Sequence, residues 1–97
     1  MNIQAMMAQA RKLQKDLEKT TEEINNTAFK YENDNILVEC MGDNRITKVQ
    51  IKNADVLADT EMAEDIILVA VNDVLNQVKA TKDSKLGKYT NGMGGLF

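Results

Sequence analysis

The sequence contains no histidine, no proline and no tryptophan, and it has a single cysteine, Cys40. Without histidine, the commonest general base and metal ligand is missing. One cysteine supports neither an internal disulfide nor a zinc site. We therefore expect no metal, no cofactor, no small-molecule substrate and no catalytic activity. Cys40 lies on the apolar side of an alternating segment, where a free cysteine behaves as a small buried hydrophobic residue.

Aromatic residues and long hydrophobic runs are also scarce. Four aromatic side chains in 97 residues mean that the core must be aliphatic. No run reaches the roughly 18 apolar residues of a membrane span, and Arg11 and Lys12 interrupt any signal-peptide pattern early. We expect a single domain over residues 1–97 in the reducing cytoplasm, away from the membrane. A chain this short buries a modest core, so pairing with a second copy would add stability.

The formal net charge is −3, but its distribution is uneven. Residues 1–20 hold four basic and two acidic side chains, and residues 78–97 hold four basic and one acidic. Residues 21–77 hold four basic and twelve acidic side chains. If the two ends of the chain lie together in the fold, they form a basic pole on an acidic body. Charge alone does not separate this from an ordinary solvated lysine face.

The N-terminal segment has apolar residues at alternating spacings of three and four, which is the pattern of a helix that packs against another helix. It predicts a helix from residue 3 to residue 25, about 35 Å long, with Asn2 as its N-cap. Asn25-Asn26 should end it, since asparagine tolerates the left-handed conformation. A helix of this length exceeds what the core needs, so part of it should project. The stripe consists of Ile3, Met6, Ala10, Leu13, Leu17, Thr20 and Ile24.

Three short segments then alternate between apolar and polar residues. They cover residues 27–32, 36–41 and 47–52, and polar turns at 33–35 and 42–44 separate them. Period-two patterning with short turns predicts antiparallel hairpins. The apolar side of each segment indicates a three-stranded sheet that is covered on one face.

After a connector, a second long helix should begin with Asp59 or Thr60 as its cap. Apolar residues dominate residues 66–78, which predicts that this half of the helix is buried on more than one side. Beyond it the helix becomes polar and basic, and Gly87 should mark its end. We expect residues 88–97, which are rich in glycine, to form a flexible tail.

Asn72 and Asp73 interrupt the apolar half of this second helix. They are either a solvated edge or a polar contact that fixes the register of a neighbouring helix or strand. The apolar surface of the two helices exceeds what three short strands can cover, which predicts a homodimer. The residues expected in the core or the dimer contact are Ile67, Val71, Asn72, Asp73 and Val74.

Several short motifs occur in a fixed order along the whole chain. They are Met7 to Gln14, Glu22-Glu23-Ile24, Gly42, Val49-Gln50-Ile51, Glu64-Asp65-Ile66-Ile67, Ala70-Val71-Asn72-Asp73, Lys85 to Met93, and Gly95-Leu96-Phe97. In these motifs the chain resembles the YbaB/EbfC family of nucleoid-associated proteins. It departs from that family at the first hairpin, which lacks the usual glycines, and in its tail, which lacks a proline often found there.

The resemblance implies an α+β protomer built as helix, three-stranded antiparallel sheet and helix, which dimerises with its long helices projecting like tweezers. It also implies a non-enzymatic nucleoid protein that binds double-stranded DNA, organises the chromosome and influences gene expression. The alternative is a protein-interaction module whose amphipathic helices grip a protein partner. The basic residues to which the resemblance assigns contact with the DNA backbone are Arg11, Lys12, Lys15, Lys19, Lys79, Lys82 and Lys85.

Overall fold

A computed structural model describes residues 2–92 of the chain, and it confirms the α+β order of elements. The elements are α1 (Ile3–Asn25), β1 (Ala28–Glu32), β2 (Ile36–Met41), β3 (Ile46–Ile51), a short 3-10 helix (Ala54–Ala58) and α2 (Thr60–Gly92). The three strands form an antiparallel sheet in the order β1-β2-β3.

Helix α1 begins and ends where the sequence predicts. The Asn2 side chain accepts hydrogen bonds from two backbone N–H groups of the first turn, at 3.0 and 3.3 Å. The expected left-handed C-cap is wrong, because Asn26 has φ −93° and ψ 3°. The helix is closed instead by the Asn26 N–H, which donates to the Glu22 carbonyl at 3.1 Å. The Thr27 hydroxyl also donates to the Glu23 carbonyl, at 2.7 Å.

The core lies between β2 and α2. Alternate residues of β2 place their side chains on the same face of the sheet, and α2 packs on that face with residues spaced by four. These two periodicities are what bring a strand and a helix together over a shared apolar surface. The fully buried cluster consists of Ile36, Val38, Cys40, Ala70, Val74 and Val78.

Strand β3 is left largely uncovered, because α2 packs on β1 and β2. Ile46 pairs with Cys40 and Val49 pairs with Val38, so both share the apolar face of the sheet. Their exposed fractions are nevertheless 38% and 50%. The protomer therefore retains an apolar strip along β3.

Gly42 fixes the angle at which α1 leaves the sheet. A Cβ atom at this position would overlap the carbonyl of Ile24, so only glycine lets the end of α1 pass this close. The Gly42 N–H also donates to the Thr27 carbonyl at 3.0 Å. The last turn of α1 is thereby attached to the β2–β3 turn, and the rest of the helix extends away from the sheet.

Helix α2 begins as predicted but ends later than predicted. Of the two candidate caps, Asp59 is the one that caps it, since the Asp59 carboxylate accepts from the Met62 N–H at 3.1 Å. The predicted end at Gly87 is wrong, because the helix continues to Gly92. A single glycine costs a helix only about 1 kcal/mol. The expected tail over residues 88–97 thus begins inside a helix, and residues 93–97 lie outside the described residues.

The expected burial of α2 on more than one side is wrong for the protomer. Ile67, Leu68 and Val69 are 37%, 60% and 57% exposed. Only the side that faces the sheet is covered. The apolar pattern predicted correctly that α2 holds the core but did not show how much of it one chain can cover.

Both helices extend beyond the same end of the sheet. The chain runs toward the sheet in α1 and away from it in α2. The helices meet where the Thr20 and Tyr89 hydroxyls lie 3.4 Å apart. Beyond Thr20, α1 continues to Ile3 for roughly 25 Å. The described part of α2 continues only three residues past Tyr89. The N-terminal half of α1 therefore projects, and the protomer measures 69 × 22 × 15 Å.

Candidate nucleic-acid interface

Helix α1 carries its basic residues on the side opposite its packing stripe. At 3.6 residues per turn, these residues fall within an arc of about 100°, whose centre lies about 180° from that of the apolar stripe. Ile24 is buried, and Leu17 and Thr20 are half-buried, so the C-terminal part of the stripe faces the rest of the protein. The opposite arc therefore faces solvent. Its basic residues are Arg11, Lys12, Lys15 and Lys19, and all four are exposed.

Positive charge is concentrated on the projecting half of this helix. Residues 2–15 contain three basic side chains and no acidic one. From Asp16 to the end of α1, four acidic residues accompany the single basic residue Lys19. Three of the basic side chains also line one surface depression of about 330 Å³, whose lining residues are Ala8, Arg11, Lys12, Lys15 and Asp16.

The predicted basic residues of α2 do not extend this face. Lys82 is half-buried, whereas Lys79 and Lys85 are exposed. By helical geometry, Lys82 and Lys85 lie within about 40° of the line from Val78 to Tyr89, which is the side that α2 turns toward the sheet and α1. The structure thus places the four basic residues of α1 on one arc, whereas Lys82 and Lys85 lie on the side of α2 that faces the sheet and α1.

No basic residue predicted to contact DNA forms an ion pair within residues 2–92. The ion pairs of this part of the chain lie on the sheet, where Lys52 and Lys30 approach Glu32 at 3.0 and 4.0 Å. The hydrogen bond and charge of Lys52 lower the pKa of Glu32. The charges on the helices are not neutralised by neighbouring carboxylates, so they remain available to an external anion.

The residues predicted for the core or the dimer contact fall into different environments. Val74 is buried and Val71 is half-buried, but Ile67 is exposed. Glu64, Ile67, Leu68 and Val71 line an open apolar depression of about 380 Å³ on α2. This depression and the uncovered strip of β3 are both apolar surfaces that the protomer leaves exposed to water.

Asp73 does not contact the sheet itself, but it hydrogen-bonds within α2 to Gln77, and Gln77 makes the contact with β1. Its carboxylate accepts from the Gln77 side-chain amide at 2.7 Å, and that amide also donates to the Lys30 carbonyl of β1 at 2.9 Å. Asn72 is exposed and takes no part in this contact. Sequence reasoning missed Gln77, although its spacing of four from Asp73 is the signal that could have indicated it.

The described residues contain no group of three or more acidic, cysteine or histidine side chains that could hold a metal ion. Cys40 is buried, and its thiol lies 3.9 Å from the Val74 carbonyl. Burial raises the pKa of this thiol, so it stays protonated and unreactive. Within residues 2–92, neither helix is both long enough and apolar enough to cross a membrane.

Comparison with known sequences identifies the family. The sequence model of the YbaB/EbfC DNA-binding family matches residues 1–93. A nucleoid-associated protein of Lactococcus lactis subsp. cremoris strain MG1363 is 43% identical over 97 residues, which cover 96% of this chain and 97% of that protein. A nucleoid-associated protein of Enterococcus faecalis is 39% identical over 99 residues, which cover 98% and 94% of the two chains.

A solved structure shows the same fold. The crystal structure of an uncharacterized protein from Helicobacter pylori superposes with a TM-score of 0.67, over 97% of this chain and 99% of that one, at 20% sequence identity. At that identity the likeness concerns the fold alone. The family match and the bacterial relatives nevertheless extend over almost the whole chain, and they confirm the resemblance found in the motifs. The chain belongs to the YbaB/EbfC DNA-binding family.

Proposed function

We propose that this protein is a nucleoid-associated homodimer that binds double-stranded DNA through the basic arc of α1. The observation that carries the proposal is the placement of four exposed basic residues on one face of a projecting helix, without ion pairs in the described part of the chain. Family membership supplies independent support. The protein organises the chromosome within the cytoplasmic nucleoid, influences gene expression and has no catalytic activity.

Phosphate contacts supply most of the affinity in this proposal. Lysine acts as a point charge and supports backbone binding that tolerates many sequences. The chain has only two arginines, Arg11 and Arg45, and Arg45 lies in the β2–β3 turn, not on the projecting half of α1. Arg11 is therefore the residue best suited to a base or minor-groove contact. The acidic middle of the chain repels DNA and confines contact to the projecting helices.

A second copy accounts for the apolar surfaces that the protomer leaves open. The strip on β3 and the depression on α2 would be covered together if two copies packed there. Two-fold symmetry would then present two basic arcs to the same duplex. The Ile67→Asp variant should dissociate the dimer and leave the protomer folded, because Ile67 is exposed in one chain. Sedimentation that shows a folded monomer of the unmodified protein at micromolar concentration would exclude the dimer.

The experiment that tests DNA binding is a salt titration of the full chain with random-sequence duplex. If each protomer places about three cations on phosphates, the dimer neutralises about six, and the slope of log K against log salt is about −5. Affinity should therefore fall steeply between about 50 and 200 mM salt. A binding constant that does not respond to salt would overturn the proposal.

A second candidate function is the binding of a protein partner by the projecting helices. The observation in its favour is the exposure of Ile3, Met6 and Leu13, at 69%, 52% and 44%, along the projecting stripe of α1. An amphipathic partner helix could lie on this stripe. Replacing Leu13 with Gln separates the two functions, since it should weaken a protein complex and leave salt-dependent DNA binding unchanged.

A further inference from the structure

We propose that the depression over Ala8 on α1 is a seat for one phosphate group of the DNA backbone, and that Asp16 at its rim limits how tightly the seat binds. The proposal rests on the function proposed above and adds to it a particular contact. Ala8 and Asp16 were not among the residues predicted from the sequence.

The seat arises from the spacing of the residues around Ala8. Arg11, Lys12 and Lys15 follow Ala8 by three, four and seven positions, so all lie on one face of the helix. Helical side chains lean toward the N-terminus over the preceding turn. Arg11 and Lys12 therefore lean over Ala8 itself, and Lys15 leans over the turn that carries them. Because the Ala8 side chain ends at Cβ, the space between the three basic side chains stays open as a depression of about 330 Å³.

The chemistry of the lining matches a phosphate. Arg11 offers a planar fork of N–H donors that can hold two phosphate oxygens. Lys12 and Lys15 add two compact positive charges, and charge-assisted bonds of this kind are about 2.7–2.9 Å long. The small residue at the centre lets the oxygens approach the helix surface. A phosphodiester group therefore meets donors from three sides.

Asp16 is the one acidic residue that lines the depression. It follows Lys12 by four positions, which is a spacing at which helical side chains interact. In the structure Asp16 and Lys12 do not form an ion pair, so the carboxylate lowers the positive potential of the seat without occupying it. Its negative charge opposes a bound phosphate and weakens the site.

Steric filling of the seat provides the first test. The full chain with Ala8→Leu should bind random duplex about tenfold more weakly, and its salt slope should shrink by about 1.8, because each protomer loses one phosphate contact. Gln9→Leu is the matched control, because it adds the same side chain at an exposed position about 100° around the helix. Circular dichroism melting verifies that each variant folds.

Removal of the rim charge provides the second test. Asp16→Asn should bind the same duplex about three- to tenfold more tightly, since a repulsive charge beside the phosphate is lost. Two outcomes would contradict the phosphate seat, provided that Lys15→Ala still weakens DNA binding. The first is equal DNA affinity of Ala8→Leu and Gln9→Leu, and the second is an Asp16→Asn variant that does not bind more tightly. If the unmodified protein shows no salt-dependent binding, the proposed function itself fails.

Discussion

The middle of α2 and the projecting half of α1 have the same kind of amphipathic pattern but different surroundings. In α2, the apolar residues Ala70, Val74 and Val78 are buried on the sheet. In α1, Ile3, Met6 and Leu13 continue a similar stripe and remain exposed. A period of 3.6 residues marks the side of a helix that can be buried. Whether it is buried depends on what the fold places beside it.

This difference separates the part of the molecule that holds the fold from the part for which we propose contact with DNA. The α2 stripe, the sheet and Gly42 determine where α1 begins to project. The projecting half of α1 adds little to the core, so its outer face is free to carry unpaired positive charge. Substitutions in the two regions should therefore affect stability and DNA affinity separately.

The largest effect is expected from a charge in the α2 stripe. Val74→Asp places an unpaired carboxylate in the buried cluster, which costs about 3–5 kcal/mol and should unfold the protein. Leu13→Asp is the comparison in α1 and should change the free energy of unfolding by less than about 0.5 kcal/mol. Urea denaturation followed by circular dichroism measures both. Equal losses would show that the α1 stripe is also buried, against a partner or a second copy.

The next largest effect on stability is expected at two glycines, Gly42 beside the last turn of α1 and Gly87 within α2. Gly42→Ala introduces a Cβ that overlaps the Ile24 carbonyl, and such overpacking costs about 1–3 kcal/mol. Gly87→Ala is the matched control, because a Cβ there meets no atom within 4 Å. It should stabilise the helix by about 0.5–1 kcal/mol. Thermal melts of the two variants should move in opposite directions, and a shift in the same direction would contradict the observed packing.

A smaller effect is expected at the hydrogen bonds between α2 and β1. Gln77→Ala removes the amide that joins Asp73 to the Lys30 carbonyl, at a cost of about 1 kcal/mol. DNA affinity per dimer should stay unchanged, because these groups lie on the acidic body. Asn72→Ala, one exposed position before Asp73, should leave stability within about 0.5 kcal/mol of the unmodified protein. An effect of Gln77→Ala on DNA affinity alone would contradict the structural role.

The smallest effect on stability is expected on the basic arc, where the effect on binding should be clear. Lys15→Ala should leave the free energy of unfolding within about 0.5 kcal/mol. It should weaken binding to all sequences alike and reduce the salt slope by about 1.8 for the dimer. Lys48→Ala is the control, since it removes the same charge from β3. If both variants lose the same DNA affinity, binding depends on the net charge of the protein and not on the basic arc of α1.

Much of the fold could be predicted because its signals are local. The limits of α1, the three strands and both turns follow from periodicity and from polar residues that start or end an element. The family followed from motifs spread over the whole chain. Sequence reasoning also placed Arg11, Lys12, Lys15 and Lys19 as candidate DNA contacts, and the structure puts them on one arc, although their contact with DNA stays a prediction.

The sequence by itself thus determined the order of the elements, the aliphatic core face of α2 and the uneven distribution of charge. Only the tertiary structure decided which apolar faces are covered, that α2 continues past Gly87, and that its lysines do not share the face of the α1 residues. It also decided the contact of Gln77 with β1. The physical reason is that local patterns depend on neighbours along the chain, whereas burial and the meeting of side chains depend on segments that are distant in sequence.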